Sequence, residues 1–502
     1  MWLSPWRRIV DSRATPVVLL AFFAVVARVF IGRMSTWFDE SYQLLLVGPH
    51  SMTEIARRTA VDGHPPLAYW ILKPWVSVFG SNIVAARAES ALFMTAALAV
   101  WYHFLRTRFG RSLALLALLF MVVNPSIQHF AIEARMYAFG ILLVATSCVL
   151  LTPARRTTAH WVGYWIVAVA MMYTHYFLAF VIAGQFLWLF LRRREQGVRL
   201  WWLLVFGVSI IAGFAPWIPF AAHQTSGIVS NGFWIPPVSP NTLPDYVVAT
   251  FLNSSNGELE SLRVWPALAF FFAIGAALIA ATKSKLRLGL LWSVAFVPWL
   301  FLFALSTKPL VPVFFPRYVL FSLFALSTLV AAGALSLEPR RRAVAIAVLM
   351  FGMLWGDCSI YLHGFDIGHH HAMREVKSIV HKPIDGAFPP VITLTQFEFF
   401  DVRATIPMDQ QVVISRAAVP QYDSTDAIYY DKPDWYVTNL SQVRGPHAWL
   451  VEYASNAPLA LPVGWTEEHR YTKRDMRIRL IRIAPSLPAV PIQPLSSGPA
   501  RP

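Results

Sequence analysis

What most constrains this chain is a series of about eleven apolar runs, separated by short loops that alternate between basic-rich and basic-poor. The runs cover residues 15–31, 83–105, 112–125, 132–151, 161–173, 176–191, 200–220, 264–281, 288–305, 318–337 and 343–362. Roughly 20 apolar residues make a helix long enough to cross a bilayer. In lipid, a helix also satisfies every backbone N–H and C=O within the segment. Alternate loops carry Arg106, Arg108 and Arg111; Arg155 and Arg156; Arg192, Arg193 and Arg194; Lys283, Lys285 and Arg287; and Arg340, Arg341 and Arg342. The loop 221–262 between two of them has no Lys or Arg. Basic loops stay in the cytoplasm, so the N-terminus is expected inside and everything after residue 362 outside. The first run follows Arg7, Arg8 and Arg13 and has no small-residue cleavage site after it, so it reads as a retained helix and not as a signal peptide.

Composition agrees. Only 14% of residues are charged and 56% are hydrophobic, against the roughly 25% charged of soluble domains. The net charge of +15 sits largely in the short loops, which reads as topology and not as a nucleic-acid surface. Cys148 and Cys358 lie within apolar runs and indicate no disulfide or metal framework. The expectation is an α-helical polytopic membrane protein, residues 1–362. A small α/β domain follows over 363–483 in the outer compartment. Its β-rich runs are 391–395, 411–414, 435–437, 448–452 and 476–483. Residues 484–502, rich in Pro and Ser, read as a disordered tail. His369, His370 and His371, with His363 and His381 nearby, lack carboxylates or cysteines at ligand spacing and read as a solvated loop.

The cytoplasmic loops are too short for a site, so any chemistry lies outside. The first outer loop, 32–82, opens on Asp39 and Glu40, two carboxylates where the chain leaves the membrane. They either solvate a helix start or serve function, the default reading for an acid at that depth. His64, fixed before Pro65 and Pro66, can bind phosphate or move a proton; an interfacial turn is the plainer reading. Lys73 can snorkel to a lipid phosphate. Glu133 is expected to open the helix 132–151, sharing a face with Tyr137 while Arg135 points elsewhere unless the first turn is irregular. His175 and Tyr176 sit between two spans at the outer surface, and Arg317 and Tyr318 enter a span from outside. Arg317 faces either lipid headgroups or an internal anion. Converging Tyr, Arg and His would suit a phosphodiester.

Taken in order, these motifs resemble one superfamily. They are the acidic pair, His64-Pro65-Pro66-Leu67-x-Tyr69-Trp70, the Ala86-Arg87-x-x-Ser90 core, Glu133-Ala134-Arg135-Met136-Tyr137 and Pro316-Arg317-Tyr318. They look like the GT-C integral-membrane glycosyltransferases, the family of protein O-mannosyltransferases and the lipid A aminoarabinose transferase, over residues 30–330. The resemblance implies a GT-C fold in a bacterial inner membrane. It further implies transfer of a hexosyl or pentosyl group from a polyprenyl-phosphate sugar to a lipid, glycan or protein hydroxyl, with inversion. Asp39 would be the general base or acceptor-orienting residue, Glu40 the second acid, and Arg317 and Tyr318 donor-phosphate ligands. The aminoarabinose transferases carry Lys where this chain has His64, and their fourth-helix acid falls where it has Tyr137, with Glu133 one turn earlier. Some members bind a divalent cation and some do not, and the motifs leave both open. A lipid or polysaccharide translocator and a non-catalytic assembly protein are the rival classes. A translocator should show inverted repeats and mid-membrane charges, and the sequence shows neither.

Overall fold

The computed structural model describes residues 12–483, except 35, 154–155, 232–234, 236, 240–241, 253–263, 308–311, 364–372, 408, 416–434 and 474. The tail 484–502 and the triple histidine lie outside the described residues. The described residues up to His363 form one compact unit, and those from Met373 to Ile483 belong to a second.

The first unit is helical, and each of the expected apolar runs forms helix. Four helices among the described residues are long and apolar enough to cross a membrane: Ile83–Phe109, Leu200–Ser226, Gly289–Ser306 and Pro316–Ser336. Arg111–Val122 and Pro125–Ala131, bent by 67°, make a fifth span if taken together. Shorter apolar helices include Ala14–Phe30, Leu67–Phe79, Tyr137–Leu151 and Leu178–Leu191. Burial sorts their positions. Pro316–Ser336 is 89% buried and runs through the interior, whereas Leu200–Ser226 is 22% buried and presents an apolar flank outward. Helix Leu323–Ser336 packs backbone to backbone on Val264–Thr282: a Cβ at Gly333 would lie 1.7 Å from the Ala277 carbonyl oxygen.

Two sequence expectations change here. The run 112–125 stops at Val122, because the Asn124 side chain accepts from the Ile127 N–H and Pro125 starts a new short helix. The helix expected over 132–151 begins only at Tyr137. Residues 132–136 form an irregular turn in which the Ala134 N–H donates to a side chain and not to a helical carbonyl. The first outer loop is itself folded, as helices Phe38–Val47, Met52–Thr59 and Leu67–Phe79.

The second unit holds a six-stranded sheet, ordered β3-β2-β1-β4-β6-β5. The strands are β1 Val391–Thr393, β2 Val412–Ser415, β3 Tyr436–Val437, β4 His447–Tyr453, β5 Thr466–Lys473 and β6 Met476–Arg482. β3, β2, β1 and β4 run parallel, and β6 and β5 join antiparallel. Ile392, Val413, Ala448, Leu450 and Ile481 form its core. Five strands fall on the runs read from the sequence. The sixth, β5, is a charged, mostly exposed edge strand with no apolar alternation to reveal it. His381 pairs its Nδ1 with Gln410 Oε1 at 2.9 Å and stacks on Phe388, an ordinary structural role.

Candidate active site

Glu40 and Arg87 are both fully buried. Arg87 projects from Ile83–Phe109 and grips the Glu40 carboxylate with two N–H groups, Nε to Oε1 at 2.8 Å and Nη2 to Oε2 at 2.6 Å. Its Nη1 donates to the Ile31 and Met34 carbonyls just past the first helix, at 3.1 and 3.0 Å. Glu40 Oε1 also accepts from the Ala134 N–H at 2.8 Å. One charge pair thus ties together four segments remote in sequence. Both Glu40 oxygens are engaged within the protein, so Glu40 anchors these segments, whereas the resemblance implied a catalytic acid here.

With Glu40 turned inward, Asp39 faces the other way. Its side chain is 23% exposed. Oδ2 lies 3.3 Å from Arg317 Nη1 and 3.8 Å from Arg135 Nη2, and Arg135 Nη1 donates to the Asp39 carbonyl at 3.3 Å. Oδ1 makes no hydrogen bond or ion pair among the described residues and stands open to a bound hydroxyl. Arg317 is held in place from its flanks, 5.0 Å over the Trp37 ring and 5.3 Å over Phe315. Pro316 at the first helical position fixes the entry angle of its helix.

Around this pair stand His64, Tyr137, His175 and Tyr318. The His175 ring lies 5.5 Å from His64, 5.6 Å from Tyr318 and 6.0 Å from Tyr137. Asp62 accepts from Tyr69 at 3.3 Å, and its Oδ2 is 3.9 Å from His64 Nδ1. Burial pushes the Asp62 carboxyl up, but hydrogen bonding and charge from His64 outweigh it and hold it below the usual carboxylate value. Glu133 sits in the irregular turn, with Oε2 3.0 Å from His129 Nε2 and a buried Oε1 that has no hydrogen-bond partner among the described residues. Burial raises its carboxyl above the ordinary range, so Glu133 keeps its proton further up in pH than an exposed acid. Arg135, expected to point away, is buried beside Asp39, because the turn is not helical.

Two expected residues do not join. Lys73 Nζ donates to the Val47 and Gly48 carbonyls at 3.1 and 2.8 Å, closing the end of the acidic helix. The Tyr176 hydroxyl pairs with Gln224 and accepts from Trp217 Nε1 at 3.0 Å, and Gln224 Nε2 donates to the Thr59 carbonyl at 2.7 Å. Both hold the outer loop to the helices.

The arrangement does not fit a cation. Asp39 has guanidinium groups for neighbours, and among the described residues no three or more His, Cys, Asp or Glu side chains gather around one point. No step is therefore routed through a metal.

Residues 63–220 match the family model of dolichyl-phosphate-mannose-protein mannosyltransferases. The fold matches the crystal structure of ArnT from Cupriavidus metallidurans in the apo state, with TM-score 0.60 and 15% identity over 94% of this chain and 99% of that one. It has the GT-C fold. The same protein bound to undecaprenyl phosphate matches with TM-score 0.57, 15% identity and the same coverage. No curated protein matches the sequence. Within the GT-C frame, sequence reasoning passed over His129, Asp62 and Trp37. His129 stands four residues before Glu133, the spacing at which helical side chains meet, and that was its one available signal.

Removing one partner of the buried pair should be costly, because it leaves a charge without compensation. Arg87→Met is expected to lower unfolding stability by about 3–5 kcal/mol, measured by denaturant titration in detergent. Asp39→Asn, at the half-exposed neighbour, should leave the same curve nearly unmoved. Equal losses for the two variants would contradict the division of roles.

Proposed function

We propose that this protein is a glycosyltransferase that moves a hexosyl or pentosyl unit from a polyprenyl-phosphate donor to a hydroxyl of a lipid, glycan or protein acceptor, with inversion, at the outer face of a bacterial inner membrane. The observation that carries this reading is Asp39, one oxygen held by Arg135 and Arg317 and the other free. The ligand of the ArnT structure, undecaprenyl phosphate, and the dolichyl-phosphate donor in the family description supply the donor class.

The chemistry follows from positions. Asp39 Oδ1 accepts the proton of the acceptor hydroxyl as that oxygen forms its bond to the anomeric carbon. The bond from that carbon to the phosphate oxygen breaks, and polyprenyl phosphate departs with the electron pair. Arg317 carries a permanent charge and a fork of donors suited to two phosphate oxygens. It meets the growing negative charge with the Tyr318 hydroxyl and, when protonated, His64. Before donor arrives, Arg317 rests on Asp39. A bound phosphate competes for that guanidinium and leaves the carboxylate less neutralised. Glu133, beside His129, completes the acidic wall.

Asp39→Asn should lower turnover by roughly two to four orders of magnitude, the usual size of a general-base contribution. The assay is release of label from a panel of polyprenyl-phosphate sugars by the purified protein, and near-wild-type release would remove Asp39 from the mechanism. The orientation is tested separately. A cysteine at Asp245, exposed on helix Thr242–Leu252, should react with an impermeant reagent added outside intact cells whose envelope has been opened to it. Labelling only after lysis would place the site in the wrong compartment.

A further inference from the structure

His175 sits in the turn between helices Thr158–Thr174 and Leu178–Leu191 and is only 3% exposed. Its two ring nitrogens have different fates. Nδ1 accepts from the Phe177 N–H at 3.2 Å, so Nδ1 cannot itself carry the proton. In the neutral ring the proton must then be on Nε2. Nε2 is buried and has no hydrogen-bond partner among the described residues. A buried N–H left unmade costs roughly 1–3 kcal/mol, so a partner is expected from outside the chain.

The surroundings say what that partner is. His64 from the outer loop, Arg135 from the irregular turn, Tyr137 from the head of its helix, and Arg317 and Tyr318 from Pro316–Val319 all face His175. Phe177 and Phe321 close the rest at ring distances of 5.2 Å. The groups are cationic or hydrogen-bond donating, and the site presents donors to an anion. Burial and the charges of His64, Arg135 and Arg317 keep the His175 ring neutral well below its ordinary titration range. It therefore stays the same donor across the working pH.

We infer that His175 is a phosphate ligand, an uncharged Nε2–H donor locked in that tautomer by the Phe177 backbone, which binds the polyprenyl-phosphate oxygen alongside Arg317. The inference rests on the donor class proposed above. It divides the two histidines: His64 adds positive charge only when protonated, and His175 contributes as an uncharged donor.

The test uses the full chain in nanodiscs and farnesyl phosphate as probe, with farnesol as the phosphate-free control. His175→Phe fills the same aromatic surroundings but cannot donate. It should weaken farnesyl phosphate binding roughly tenfold or more, the range for a hydrogen bond to a charged group. The loss should be equal from about pH 5.5 to 8.5 (roughly one unit below and two above the ordinary histidine value), with farnesol binding unchanged. His175→Gln, whose amide N–H reaches the Nε2 position, should recover part of it. Unchanged affinity in folded His175→Phe, or a loss confined to low pH, overturns the inference. Nitrogen NMR of the wild-type ring gives a readout that needs no variant: a proton on Nδ1 would also overturn it. If the wild type itself binds farnesyl phosphate no better than farnesol, the proposed donor class fails first, and that result differs from an intact wild type with an indifferent variant.

Discussion

The buried pair of Glu40 and Arg87 is the constraint from which the rest of the outer site follows. Successive helix residues point about 100° apart. Once Glu40 is clamped inward by Arg87 and the Ala134 N–H, Asp39 is turned away from that pair, toward Arg135 and Arg317. The same clamp pulls residues 132–136 out of helical geometry. That places Glu133 and Arg135 together at the site, where an unbroken helix would have put them on different faces. A buried ion pair is not in itself a source of stability, since desolvation offsets much of the attraction. Its contribution here is register: it fixes four segments around one carboxylate.

Around that carboxylate the charge is lopsided. Arg135 and Arg317 converge on Asp39, with the hydroxyls of Tyr137 and Tyr318 and the rings of His64 and His175 nearby. Two guanidinium groups this close repel one another in a site largely shielded from water, and the partly exposed Asp39 balances only part of their charge. A bound phosphate supplies what is missing. The site reads as one prepared for an anion, with Asp39 occupying part of its field until that anion arrives.

Much of the fold was legible because lipid simplifies the problem. The apolar runs and basic loops marked the helices, and short β-rich runs marked five of the six strands. Edge strand β5 was hidden by its charged, water-facing sequence. Asp39, Arg317 and Tyr318 stood out as charged or polar residues where spans begin. The roles of their neighbours did not. Nothing local to Glu40 tells that Arg87, 47 residues away, will take both of its oxygens. Nothing near Lys73 tells that the Val47 and Gly48 carbonyls lie within reach. Such roles are set by long-range contacts, which adjacency in sequence does not report. Likewise the break at 132–136 has no proline or glycine to announce it, because its cause is a carboxylate 94 residues upstream.

The most direct measurement is a cryo-electron microscopy structure of the protein in nanodiscs with undecaprenyl phosphate bound. The account predicts phosphate density between Arg317, Tyr318 and the two histidines, with the Arg317 guanidinium drawn from Asp39 toward the phosphate oxygens and the Glu40–Arg87 pair unmoved. Phosphate density at Lys73, or anywhere outside that ring of donors, would contradict it.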